Sequence, residues 1–136
     1  MSATVTAPVL SELENISKLM NVSVNFEPYS LLSQFRDVAL AILVEVLKTL
    51  REKGIVVNNV DISGFANLTI TFKQGEVPIV KVSIDLPGGV NLWIAENVAK
   101  DIDNVIISTL EKYLPVKKVE KSSENQQSQQ ASSAVS

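Results

Sequence analysis

Apolar residues are most concentrated between Tyr29 and Lys53, where Val38–Val44 is an unbroken apolar run. On a helix of about 100° per residue, the apolar side chains of this segment fall mainly on one broad stripe, which is typical of a helix that faces a core. The stripe consists of Leu31, Leu32, Phe35, Val38, Ala39, Ile42, Leu43, Val46 and Leu50. We therefore predict one long helix over residues 29–53, ended by Gly54.

A second apolar row lies on the far side of this predicted helix. It contains Leu40, Val44 and Leu47, at spacings of four and three residues. Burying one large aliphatic side chain is worth about 1.5–3 kcal/mol, so three exposed ones would forfeit a large part of a domain's net stability. We expect this row to be covered, either by the N-terminal segment of the same chain or by a second copy.

Before the long helix, the pattern predicts a short helix and a strand. Ser11 and Glu14 have capping-box spacing, and apolar residues then recur every three to four positions, so we predict a helix over Ser11–Met20. From Asn21 to Phe26 apolar and polar residues alternate strictly, which indicates a half-buried strand.

After the long helix, three strands, a second helix and a polar tail are predicted. The strands cover Ile55–Ser63, Leu68–Phe72 and Val80–Leu86, separated by turns at Gly64–Asn67 and Gln74–Glu76. A helix is predicted over Asn91–Leu114, and the remainder is rich in Ser, Gln and Asn. Such a composition favours disorder.

These elements, in the order α-β-α-β-β-β-α, predict an α+β fold. We expect a two-layer sandwich in which a three- to four-stranded antiparallel sheet carries both long helices on one face. The predicted organisation is an N-terminal arm with a short amphipathic helix (1–20), an α+β domain (21–116) and a disordered tail (117–136). The outward sheet face is predicted to be polar and to lack aromatic residues.

Composition narrows the chemistry that the chain is able to perform. The 136 residues include no Cys and no His, and the net charge is −3. The usual general base, thiol nucleophile and commonest metal ligand are therefore missing. No cofactor motif or metal-ligand spacing is present, so we expect no catalytic residue, cofactor or metal. The start of the chain has no secretory pattern. The apolar stretch of the long helix is shorter than the ~20 residues of a membrane span and contains Glu45, so we expect no membrane span and a cytoplasmic protein.

Two further groups of residues are candidates for binding. Trp93, the only tryptophan, lies off the stripe of the second predicted helix, and tryptophan is frequent at binding hot spots. Folding back over the preceding loop is the alternative for Trp93. A basic cluster of Lys112, Lys117, Lys118 and Lys121 suits contact with a polyanion or simply a soluble helix end.

The order strand, helix, three strands, helix and tail over residues 21–114 is similar to the ribosome-hibernation factors of bacteria. Its central part also resembles the double-stranded-RNA-binding domain. Both resemblances are of topology alone, and both imply contact with RNA. No functional residue is carried over from either family.

The leading expectation is a non-enzymatic protein-interaction module that self-associates as a homodimer through the long helix. Its predicted interface is Leu40, Val44, Leu47 and Trp93. An RNA- or ribosome-associated protein is the alternative, and a small-ligand carrier, which would require a cavity between sheet and helices, is a third.

Overall fold

A computed structural model describes residues 7–85, 89–98 and 100–122 of the chain. Within these ranges, α-helices and strands follow one another, with a single 3₁₀ helix after the first strand. Their bounds are α1 Ala7–Met20, β1 Ser23–Phe26, the 3₁₀ helix Pro28–Leu32, α2 Arg36–Glu52, β2 Asn59–Gly64, β3 Leu68–Gln74, β4 Val77–Asp85, β5 Gly89–Ala95, α3 Lys100–Glu111 and β6 Val116–Ser122.

The six strands form one mixed sheet in which spatial order follows chain order. β2 to β5 are antiparallel neighbours, whereas β1 pairs with β2 and β5 pairs with β6 in parallel. Each parallel pair needs a crossover, and α2 and α3 supply the two crossovers. The α+β class is thus confirmed. The narrower prediction of a three- to four-stranded antiparallel sheet with two helices was wrong in detail, because β5 and β6 extend the sheet to six strands and both edge pairings are parallel.

One face of this sheet forms the core with the helices. The side chains of this face are almost fully buried: Val60, Ile62, Leu68, Ile70, Phe72, Val80, Val82, Ile84, Val90, Leu92 and Ile94. α2 and α3 pack against each other, and α2 also contacts β3. From α1, Leu13 and Ile16 belong to the same apolar core. Burial of roughly a dozen large side chains on this face is the main stabilising term of the fold.

The central meander follows the predicted pattern closely. Leu68, Ile70 and Phe72 are buried while Thr69 and Thr71 are half-buried, as their alternation predicts. The β3–β4 hairpin turns at Gly75, whose φ of 62° suits glycine. The predicted first helix and first strand are also present, although α1 begins at Ala7, four positions before the predicted cap at Ser11.

The long apolar segment is divided into two helices. Residues 28–32 are 3₁₀ helix, and the regular helix begins only at Arg36. Its C-terminal end is as predicted: Gly54 has a φ of 77°, and its N–H bonds to Arg51 while Ile55 N–H bonds to Leu50. This pair of hydrogen bonds is a Schellman motif, which satisfies carbonyls that the helix end leaves free.

Two segments after β4 differ from the prediction. The predicted helix over Asn91–Leu114 is a strand to Ala95, and α3 begins at Lys100. The predicted disordered tail begins inside β6, which continues to Ser122 and pairs with β5. Residues 1–6 of the predicted arm and 123–136 of the predicted tail lie outside the described residues.

Candidate interaction surface

The structure covers the second apolar row of the long helix within a single chain. Leu40 is 4% exposed and Leu47 0% exposed, and Val44 is half-buried against the core. α3 packs along α2, and Leu13 and Ile16 of α1 join the same core. The row is therefore buried within a single chain, where α3 packs against α2, although the prediction weighed only the N-terminal segment or a second copy as its cover. Leu40 and Leu47 are not available as a contact surface in this structure, which removes the reason for placing an interface there.

Three large apolar side chains are instead exposed at the end of the sheet where β1 and β2 finish. Tyr29 is 54% exposed, Leu32 51% and Phe65 51%. Tyr29 and Leu32 belong to the 3₁₀ helix, and Phe65 belongs to the loop between β2 and β3. We call these three residues the apolar end patch.

Buried hydroxyl groups hold the two segments of the apolar end patch together. Ser30 Oγ donates to the Gly64 carbonyl at 2.6 Å, and Ser33 Oγ donates to the Phe65 carbonyl at 2.7 Å. Both serines are buried, at 0% and 5% exposure. A buried hydroxyl is stable only when hydrogen-bonded, so these bonds hold the 3₁₀ helix in a defined position against the loop.

A carboxylate on the strand-exit turn adds a third link. Glu27 Oε1 accepts a hydrogen bond from the Gly64 N–H at 3.0 Å. Gly64 itself has a φ of 91°, a conformation that side chains rarely adopt. The backbone that carries the apolar end patch is therefore fixed before binding. Less conformational entropy is then lost when a partner binds.

The exposed sheet face is polar, as predicted, but it includes an aromatic residue that the prediction omitted. Trp93 lies on β5 opposite Lys81 of β4. The Lys81 ammonium is 5.5 Å from the centroid of the Trp93 ring, which is within the range of a cation–π interaction. Trp93 is half-buried on this face, so it neither projects from a helix nor folds back over a loop.

Carboxylates on the same face are engaged by neighbours. Asp61 accepts hydrogen bonds from Asn25 at 3.2 Å and from Lys73 at 2.9 Å. Asp85 accepts one from Asn91 at 2.6 Å and pairs with Lys117 at 3.5 Å. Each carboxylate thus links its own strand to two other strands of the sheet.

The predicted basic cluster is partly neutralised. Lys112 lies 4.0 Å from Glu45 and Lys117 pairs with Asp85. On β6, Lys118 lies opposite Asn91 of β5, and Lys121 lies opposite Ile94 of β5. The four lysines therefore span a helix end and an edge strand, and the two whose side chains are described each have an acidic neighbour.

A cavity of about 520 Å³ opens to solvent beside the end of α2. It is lined by Asn21, Arg51 and residues 54–58. Arg51 crosses this region, because its guanidinium donates to the carbonyls of Asn21 at 3.3 Å and Val57 at 3.1 Å. The cavity thus lies on the outside of the domain and not between sheet and helices, where a small-ligand carrier would need it.

The described part of the chain contains no group of three or more acidic side chains that could hold a metal ion. No helix in residues 7–85, 89–98 and 100–122 is long and apolar enough to cross a bilayer. Comparisons of the chain with known protein families, with curated proteins and with solved structures gave no match.

The sequence pattern misses the apolar end patch for an identifiable reason. It places Leu32 on the core stripe of a continuous helix, and it places Phe65 in a turn. A large aromatic residue between Gly64 and Asn67, where turns favour small polar residues, is the available signal.

One ion pair on the sheet face gives a pH-dependent prediction. The side-chain hydrogen bond to Asp61 raises the pKa of Lys73 above its ordinary value of 10.5, with burial of the ammonium acting in the opposite direction. The stabilisation by this bond is complete at neutral pH and is lost as the pH rises through the raised pKa of Lys73. We expect Asp61→Asn to lower the pKa of Lys73, measured by NMR titration of the lysine ammonium groups. An unchanged Lys73 pKa in this variant would contradict the assignment.

Proposed function

We propose that the protein is a non-enzymatic interaction module that self-associates through the apolar end patch. The observation that carries the proposal is the exposure of Tyr29, Leu32 and Phe65 on a backbone that buried serine hydroxyls hold in place. Aromatic residues are enriched in protein–protein interfaces and at their hot spots. Exposed apolar groups on a rigid support are the arrangement that favours specific docking over loose aggregation.

The non-enzymatic part of the proposal rests on the side chains present. The chain has neither His nor Cys, so acid–base or nucleophilic chemistry would depend on carboxylates, lysines, tyrosines or hydroxyls. Asp61, Asp85 and Glu27 are hydrogen-bonded to neighbouring strands or loops. These groups therefore have structural roles that account for their positions.

The size of the patch sets the expected strength of the association. Stable interfaces bury about 1,200–2,000 Å² in total, and smaller contacts are weak or transient. Three half-exposed side chains provide the centre of such an interface but not its full area. We therefore expect a dimer that dissociates on dilution and not an obligate one.

Association with RNA, the alternative, has less support. On the sheet face, Trp93 provides an aromatic ring and Lys81 a positive charge. Proteins bind single-stranded nucleic acids with this combination of groups. The net charge of −3 and the acidic neighbours of Lys112 and Lys117 act against a polyanion. Self-association is therefore the proposal that we favour.

Substitution at the centre of the apolar end patch tests the proposal. We expect Phe65→Ser and Leu32→Ser each to weaken self-association at least about tenfold, which corresponds to about 1.4 kcal/mol. The measurement is sedimentation velocity over a wide range of protein concentration. Both side chains are about half exposed, so the fold should be retained, as checked by circular dichroism.

Val77 supplies a matched control for these substitutions. It is 60% exposed at the start of β4, where it pairs with Gln74 at the end of β3. Gly64 pairs with Leu68 at the other end of β3, so Val77 lies away from the patch. Val77→Ser should leave the association unchanged. A wild-type protein that stays monomeric at the highest concentration would remove the proposed function, and equal effects of all three substitutions would remove the assignment to this patch.

A further inference from the structure

A charged pair adjoins the apolar end patch at the start of α2. Arg36 Nη1 donates to the carbonyl of Leu31 at 3.3 Å, so the guanidinium lies against the 3₁₀ helix that carries Tyr29 and Leu32. Arg36 Nε also contacts Asp37 Oδ1 at 3.2 Å. The start of α2 beside the patch therefore carries one positive and one negative charge next to each other, and Glu27 adds a carboxylate on the Gly64 side of the patch.

Within one chain, the ion pair between Arg36 and Asp37 contributes little to the stability of the fold. Residues adjacent on a helix do not face each other well, and exposed ion pairs contribute little to stability. The Asp37 side chain is 89% exposed and that of Arg36 31%. Arginine has five N–H donors, and two of them are used in the contacts described above.

A rotation of 180° would bring unlike charges together. In a two-fold contact, each residue meets a surface identical to its own, so a patch bordered by one sign of charge repels its copy. A patch bordered by Arg36 and Asp37 instead places Arg36 of each protomer near Asp37 of the other. Asp37 lies in the first turn of α2, where it also offsets the positive end of the helix dipole that would otherwise face an equal one.

We propose that two copies of the chain dock apolar end patch to apolar end patch around a two-fold axis, with reciprocal Arg36–Asp37 pairs between protomers at the border of the contact. This inference rests on the proposed self-association and specifies its symmetry. The apolar side chains supply most of the affinity, and the charge pairs set the orientation.

Charge reversal tests the symmetry directly. Asp37→Lys places an ammonium group opposite Arg36 in both halves of a homodimer, and Arg36→Glu places a carboxylate opposite Asp37. We expect each variant alone to dimerise at least about tenfold more weakly than wild type at low salt, with the deficit shrinking as salt screens the repulsion. Sedimentation velocity or fluorescence anisotropy of a labelled protein measures these affinities.

An equimolar mixture of the two variants gives the decisive measurement. In the mixed dimer, Arg36 of one chain meets Asp37 of the other, and the introduced ammonium group meets the introduced carboxylate, so both cross-pairs become attractive. The mixture should associate at least as tightly as wild type although neither component does alone. A mixture as weak as its components would overturn the two-fold arrangement.

The remaining outcomes separate this inference from the proposed function. A wild-type dimer whose affinity Asp37→Lys leaves unchanged overturns the charge pairing but not the self-association. A monomeric wild type overturns both. Arg36→Glu removes a hydrogen bond to Leu31, whereas the Asp37 side chain is 89% exposed, so Asp37→Lys alone decides the result if Arg36→Glu fails to fold.

Discussion

Leu47→Ala should destabilise the folded monomer by about 2–5 kcal/mol, the range for removing a fully buried leucine side chain. Leu47 is 0% exposed in the single chain, so the cavity would form inside one protomer. Val44 of the same row is only half-buried, and Val44→Ala should cost about 1 kcal/mol or less by the same reasoning. Urea unfolding followed by the fluorescence of Trp93 measures both free energies.

The concentration dependence of unfolding distinguishes a core position from an interface position. If the row is covered within the chain, the loss caused by Leu47→Ala is the same in dilute and concentrated protein. If a second copy covered it, the loss would grow with protein concentration, because a partner that binds the native state stabilises it by mass action. A loss below about 1 kcal/mol at Leu47 would contradict the burial described here.

Gly64→Ala should be strongly damaging although it adds only one methyl group. The φ of Gly64 is 91°, and an added Cβ would collide with the backbone carbonyl oxygen of Asn67. Backbone atoms in a tight turn cannot move aside as a flexible side chain does, so we expect a loss of about 3 kcal/mol or more. The same substitution would displace the loop that carries Phe65, and self-association should fall with stability.

Gly75→Ala separates the collision from the unfavourable backbone angle. Gly75 has a φ of 62°, and apart from its two chain neighbours no residue has a heavy atom within 4 Å of the added Cβ. Only the conformational penalty of about 1–2 kcal/mol should then apply. Thermal and urea unfolding of the two variants provide the comparison, and equal losses would show that the contact at Asn67 is unimportant.

The proposed contact surface differs from the one that the apolar pattern predicts. An apolar row on the outer side of a helix requires a cover, but the pattern does not say which part of the molecule provides it. In the structure α3 packs against α2, and Leu13 and Ile16 of α1 belong to the same core. The apolar end patch is found where a 3₁₀ helix and a loop meet, and neither element has a periodicity that would reveal it.

The strand β5 shows why short apolar segments are ambiguous. Val90, Leu92 and Ile94 alternate with Asn91 and Trp93, but Leu92 also fits a helical stripe with residues that follow it. Pairing with β4 decides between the two, because six residues of β5 align with β4 in register. For β6, whose lysines and glutamate give little local preference, pairing with β5 supplies the order that the local sequence does not.

Local sequence alone determined α1, β1, the end of α2 at Gly54 and the meander from β2 to β4. In these segments the period of apolar residues and the turn glycines give the same answer, and the pairings from β2 to β4 join residues that are close in sequence. The tertiary structure decided the formation of β5 and β6, the parallel pairing of β1 and β6 at the sheet edges, the cover over Leu40 and Leu47, and the exposure of Tyr29, Leu32 and Phe65. These features depend on which distant segments meet, and a pattern of polar and apolar residues specifies that a side chain prefers burial without specifying its neighbour.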